Sequence, residues 1–158
     1  MSVDSQLRSF DNVKEWLNLA TSKAPLSQGR ATLVHFWSIS SEISKNNLSQ
    51  IAELRDERKR EGLRVIAVHA PHSEKEKNKQ VLLGAMQALN MTEPCALDND
   101  HTLREAFFSD GETEPAYYLF DNEGNFRCSS TGDNGLETIE DELDEMFREL
   151  RTRHPFCP

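Results

Sequence analysis

A chain of 158 residues with a formal net charge of −9 is long enough to bury roughly 68–70% of its unfolded surface, so it needs no disulfide or metal staple. The acidic balance argues against nucleic acid, whose phosphates call for clustered Lys and Arg, and against an anionic membrane surface. The opening segment MSVDSQLRSFDNVKEWLNL has no basic cluster followed by an apolar core, so no secretory signal is expected. No stretch approaches the ~18 apolar residues of a membrane span. Cys95, Cys128 and Cys157 are widely spaced with no metal-ligand pairing, a usage that suits a reducing cytosol. The expected organisation is one domain over 1–158, with 1–31 as an N-terminal extension and 152–158 as a tail.

In chain order, EWLNL is a candidate extra strand. Leu33 to Trp37 is an apolar run with a His inside it, the pattern of a buried central strand. From Glu42 to Glu61 the pattern is helical, with Ile43, Leu48, Ile51 and Leu54 on one stripe and Gly62 as the stop. LRVIAVHA is the next strand and ends at Pro71. Glu74 to Leu89 reads as a second helix burying Val81, Leu82, Ala85 and Leu89. PCAL is a short strand, and Asp100 can cap a brief helix over HTLREAFF. PAYYLF and NFRCS form a hairpin around DNEG. Leu136 to Arg151 closes the chain as a helix with Leu136, Ile139, Leu143, Met146, Phe147 and Leu150 inward. Its run of acids reads as a solvated face. Helices alternating with short buried strands predict the α/β class, with a parallel section and an antiparallel edge.

This order, with TLVHFWSIS running directly into a helix and PAYYLFD returning later, resembles the thioredoxin fold. It resembles in particular the thioredoxin-like thiol–disulfide oxidoreductases of the TlpA/ResA group, including a small cytosolic type whose strand and turn also read H-F-W-S-I-S. The likeness runs from about Glu15 to Leu150, and VIAVHAP and DNDHTLREAF support it. It implies a central mixed sheet flanked by helices, in the order strand, helix, strand, helix, strand, helix, hairpin, helix. It also implies a monomer that acts on protein thiols or disulfides with no cofactor and no metal.

Members of that group carry Cys-x-x-Cys at the start of the first long helix. Laid onto this chain, the two cysteines fall on Ser41 and Ser44, so SEIS stands where the dithiol is expected. Dithiol exchange needs a thiolate to attack a disulfide sulfur and a second thiol to resolve the mixed disulfide. A serine hydroxyl keeps nearly the same shape but does neither. Ser41 alone can serve as a helix N-cap, Glu42 complements the helix dipole, and Ser44 can bond back into its own turn.

The resemblance implies roles for further residues. His35 stands where the family holds a buried acid that handles the resolving thiol's proton; it can equally be a buried His with one satisfied nitrogen. Trp37 is expected near the site surface or in the core. Pro115 matches the family's cis-proline, with Glu114 before it as a charge that would bias which substrates dock. A Ser–His nucleophile pair lacks an oxyanion hole and a triad partner. His69 and His72 lack a third metal ligand, and the DNDHT segment misses the calcium-loop pattern. No cysteine stands at a helix N-terminus beside a basic residue, which argues against an AhpC/TSA-like peroxidase. Cys95 and Cys128 are expected to be buried, and Cys157 to lie in a mobile tail.

Two readings follow. In one, the chain is of thiol–disulfide oxidoreductase type, its working form carries cysteines at 41 and 44, and the Ser/Ser chain is inert in dithiol exchange. In the other, the serines are native and the chain is a non-catalytic binding module. It would then hold an extended peptide between the SISSE turn and Pro115, with Glu42 and Glu114 favouring basic partners.

Overall fold

The computed structural model describes residues 5–18 and 30–153. Six strands form one mixed sheet in the order β1-β4-β3-β2-β5-β6. They are β1 (Trp16–Leu17), β2 (Thr32–Trp37), β3 (Arg64–His69), β4 (Cys95–Leu97), β5 (Ala116–Phe120) and β6 (Phe126–Thr131). β2, β3 and β4 run parallel, while β5 pairs antiparallel with β2, β6 with β5 and β1 with β4. The helices are α1 (Ser5–Arg8), α2 (Glu42–Arg58), α3 (Lys79–Ala88), α4 (Thr102–Phe107) and α5 (Gly135–Arg153). The strand–helix order and the hairpin come out as the sequence predicts.

The register explains the two faces. Leu33 pairs with Val65 and with Leu119, and Ala67 pairs with Cys95, so odd-numbered residues align with odd across the central strands. Side chains alternate along a strand, so all the odd positions share one face. Leu33, Val65, Tyr117 and Leu119 meet Ile51 and Leu54 of α2 and the inward stripe of α5, while Trp37, Ala67 and Cys95 meet Leu48, Leu82 and Met86. The even positions Val34, Phe36, Ile66, Val68 and Tyr118 face Leu103 and Phe107 of α4 together with Leu7 and Phe10. Residues Leu7 and Phe10, placed in an N-terminal extension by the sequence reading, are therefore core. Phe10 is 1% exposed and packs its ring on Trp16 and Phe107.

Two helical stripes differ from expectation. Ile43 is 50% exposed, because Ser44 and Asn47 take the inward positions of the first turns of α2. Val81 is also exposed, since no continuous helix runs from Glu74. A 3-10 turn over Glu74–Lys77 stops, and α3 starts afresh behind Asn78, whose side chain accepts from Gln80 N and Val81 N. The restart turns Leu82 and Met86 inward. Asp98 rather than Asp100 is the main cap of α4: its two carboxylate oxygens accept from Leu103 N and Arg104 N at 2.8 Å each. Asp100 reaches Thr102, whose N–H it accepts at 3.3 Å. Cys157 lies outside the described residues.

Gly135, at the start of α5, sits hard against Tyr117. A Cβ there would lie 2.9 Å from two carbons of the Tyr117 ring and 3.1 Å from Ser130 Oγ. The ring has little freedom to retreat, because Asn47 Nδ2 donates to its hydroxyl at 3.0 Å. Gly135→Ala is expected to lower stability in urea titration, because overpacking against so closely held a ring falls in the upper part of the usual range, about 2–3 kcal/mol. That exceeds the ~1 kcal/mol helix-propensity gain from replacing glycine. An unchanged or higher midpoint would contradict this packing.

Candidate functional site

β2 ends at Trp37, and the chain turns through Ser38, Ile39 and Ser40 before α2 begins. Ser41 is the N-cap of α2. Its backbone is extended (φ −100°, ψ 108°), its hydroxyl accepts from Ser44 N at 3.2 Å, and its carbonyl takes the first helical bond from Lys45 N. Serine suits the position because it satisfies one of the orphan N–H groups of the first turn. The side chain of Ser44 points inward, and the residue is 1% exposed. Its Oγ lies 3.2 Å from Ser38 O and 3.0 Å from Ser41 O, and it accepts from Ser38 N at 3.2 Å. One partly exposed and one buried hydroxyl thus stand three residues apart at a helix start. Glu42 projects into solvent and pairs with Lys45 at 2.9 Å.

The turn is held from beneath by the segment after β3. Ser38 Oγ donates to Glu76 Oε1 at 3.1 Å and lies 2.9 Å from Ser40 Oγ. Glu76 Oε2 accepts from His72 N and from Ser73 Oγ, both at 3.3 Å. Ile39 N donates to His69 Nε2 at 3.4 Å, and the His69 ring meets Trp37 edge-on at 4.9 Å. Burial pushes His69 down to about 4, against the pull of Glu76 and Glu114. The ring is therefore neutral at pH 7, with its proton on Nδ1 and a lone pair on Nε2 for the turn. Glu76 Oε1, 3.6 Å from that nitrogen, forms an ion pair with it only when His69 is protonated. Trp37 is core, 1% exposed, and packs with Leu82 and Met86 rather than at the site surface.

The Glu114–Pro115 bond is cis, as the resemblance implies. The Pro115 carbonyl accepts from Gly132 N at 2.9 Å. The Glu114 side chain is 2% exposed and lies 3.2 Å from His72 Nε2 and 3.5 Å from Arg104 Nε. Its charge is met from within the fold, so the expectation that it faces docking partners is corrected. The acid presented beside the turn is Glu42.

His35 is 1% exposed, a buried His with a partner at one ring nitrogen, the second of the two roles read from the sequence. Its Nε2 lies 2.7 Å from Glu93 Oε2, and Glu93 Oε1 accepts from Arg55 at 2.7 Å. Burial alone would raise the Glu93 carboxyl, but hydrogen bonds from His35 and Arg55 outweigh it and hold the group at about 2. His35 thus belongs to a buried hydrogen-bonded cluster tying β2 to α2 and to the loop before β4. Sequence reasoning misses Glu93 and Glu76, because neither acid lies on an apolar stripe and their partners are distant in the chain. Only the neighbouring His residues give a signal. Burial pushes Cys95 up to about 12 and Cys128 up to about 11, so neither is a ready nucleophile. Among the described residues no group of three or more His, Cys, Asp or Glu could hold a metal ion.

Two buried groups make stability pH-dependent. His69 titrates near 4 in the fold against about 6.5 unfolded, so the unfolded chain binds more protons between those values. Its contribution is full above about pH 6.5 and is lost as the pH falls towards 4, worth about 3 kcal/mol. Glu93, held near 2, adds a second loss below its unfolded value of about 4.5. His69→Gln is expected to flatten the dependence of unfolding free energy on pH between about 6.5 and 4, and to leave the lower window in place. An unaltered slope in the upper window would contradict the neutral His69.

The chain matches no protein-family model. It is 35% identical over 149 residues to the thiol-disulfide oxidoreductase YkuV of Bacillus subtilis (strain 168), across 94% of this chain and 99% of that protein. Among solved structures it is similar to a thioredoxin-like protein in the oxidised form, with a TM-score of 0.74 and 34% identity, covering 86% of this chain and 90% of the other. StoA from Bacillus subtilis shares the fold at a TM-score of 0.61 and 22% identity, covering 74% and 84% of the two chains. The mixed six-stranded sheet flanked by helices agrees with these fold likenesses. The chain belongs to the thioredoxin-like thiol–disulfide oxidoreductases.

Proposed function

We propose that this chain is a dithiol-exchange scaffold whose reacting form carries cysteines at 41 and 44, and that it is inert in that exchange with serines there. The observation that carries the reading is the contrast between the two hydroxyls. Ser41 caps α2 and is partly open to solvent, while Ser44 is buried three residues on and bonded to the same turn. An attacking group must be reachable and a resolving group sheltered, and the helix N-terminus favours a thiolate at the first position. With sulfur at both positions, the thiolate at 41 attacks a substrate disulfide and expels one substrate thiolate. The thiolate at 44 then attacks the sulfur at 41, closes the internal disulfide and releases the second substrate thiol. Oxygen at these positions leaves no sulfur to attack or to resolve. The partners of this reading are protein thiols or disulfides. Its compartment is the reducing cytosol, consistent with the free Cys95 and Cys128, and its state is a monomer.

One observation favours a second reading, a binding module for an extended peptide. Ile43, 50% exposed, and Glu42 stand side by side in the open first turn of α2, a small apolar step with an acid beside it. Capture of a basic extended peptide that is lost in Ile43→Asp and unchanged in Ser41→Cys/Ser44→Cys would favour this reading over exchange.

Ser41→Cys/Ser44→Cys is expected to reduce insulin disulfides with dithiothreitol roughly tenfold or more above background, while the Ser/Ser chain stays at background. A double-Cys chain no faster than the Ser/Ser chain would overturn the exchange reading.

A further inference from the structure

We propose that Glu76 is a positioning residue of the site: acting through the Ser38 hydroxyl, its buried carboxylate fixes the turn that aims position 41 and makes that position a harder place to form an anion. The inference rests on the reading of position 41 as the nucleophile's place. Glu76 is 8% exposed although it lies in a run of charges, HSEKEKN, that otherwise points to solvent. A carboxylate withdrawn from water in this way is costly unless its oxygens are met. Here they are met by Ser38 Oγ from the turn and by His72 N and Ser73 Oγ from its own loop. His69 of β3 stands 3.6 Å away. The proline loop contributes Glu114, which pairs with His72 and Arg104. On α2 the charges beside position 41 are Glu42 and Lys45, paired with each other.

The chain of contacts runs one way, towards the site. Ser38 Oγ, held by Glu76, accepts from Ser40 N at 3.2 Å and lies 2.9 Å from Ser40 Oγ. The Ser38 carbonyl accepts from Ser41 N at 3.1 Å, and the Ser38 N–H donates to Ser44 Oγ. Whatever holds Ser38 therefore sets where residues 40, 41 and 44 lie. A fixed negative charge next to this turn disfavours a second anion at position 41, opposing the helix N-terminus, which favours one. Glu76 would thus tune the nucleophile's proton affinity upward from the value that the helix alone would give.

The test uses Ser41→Cys as the parent, whose new thiol needs no resolving partner and no disulfide substrate and is followed by peptide mass at residue 41, apart from Cys95, Cys128 and Cys157. Its alkylation by iodoacetamide is followed between about pH 5 and pH 10. Adding Glu76→Gln, which keeps an oxygen for Ser38 and removes the charge, is expected to lower the midpoint of the rate profile by roughly 0.5–1 pH unit. In the Ser/Ser chain, Ser38→Ala keeps the charge and cuts the link, and is expected to speed amide exchange by about tenfold at Ile39 and Ser41, whose N–H groups bond to His69 Nε2 and Ser38 O rather than to the lost hydroxyl, with β2 and β3 unchanged. A midpoint that does not fall in Glu76→Gln, or unaltered exchange in Ser38→Ala, overturns the proposal. Should Glu76→Gln fail to fold, the exchange result in Ser38→Ala decides it. Because alkylation asks nothing of dithiol turnover, this outcome is separate from that of the insulin assay.

Discussion

The Ser38 backbone grips the Ser44 hydroxyl from two sides, its N–H donating to Ser44 Oγ and its carbonyl lying within bonding reach of it. That pair of contacts joins the first residue of the turn to the first buried residue of α2. The turn is thereby closed over its own helix start, and Ser41 is left as the outward member. Every other feature of the site works on this closure. Glu76 holds the Ser38 side chain, and His69, kept neutral by burial, takes the Ile39 N–H. Since β2 and β3 are parallel and pair Trp37 with His69, the end of the central sheet delivers the imidazole to the turn without any loop having to find it.

Behind the turn the same face of the sheet carries its charge inward. His35, Glu93 and Arg55 form a buried cluster between the apolar groups around Leu33 and Trp37. Glu93 is met on both carboxylate oxygens, so removing His35 or Arg55 takes one partner from a buried acceptor, a cost of about 1–3 kcal/mol. The cluster anchors α2 to β2 more than one turn below the site. It gives His35 a structural occupation that a thiol at position 44 would not require.

Much of the architecture is legible in the sequence. The apolar run at Leu33–Trp37, the α5 stripe and the DNEG hairpin each follow from local rules of burial period and turn chemistry, and each stands as read. Ser41 as a cap and Ser44 as a residue bonded back into its own turn are also legible, because cap position and helical period fix them. What is not legible depends on contacts distant in the chain. Leu7 and Phe10 look like a loose N-terminal segment until Phe107 and Phe36 are seen to need covering. Glu76 and Glu93 look like surface acids because their partners lie 38 and 58 residues away. Periodicity alone assigns Ile43 and Val81 to buried stripes. A helix start shifted by a few residues, or a first turn whose inward places are already taken by Ser44 and Asn47, puts them in water.

That the fold keeps an exchange site whose only missing atoms are two sulfurs is tested most directly by equilibrating Ser41→Cys/Ser44→Cys in graded glutathione buffers. Free thiols at positions 41 and 44 are counted by trapping and mass. A single two-electron transition between dithiol and internal disulfide is expected, with a midpoint in the range of about −120 to −270 mV spanned by thioredoxin-type proteins. A chain that stays dithiol across the series, or that forms only mixed disulfides with glutathione, would contradict it.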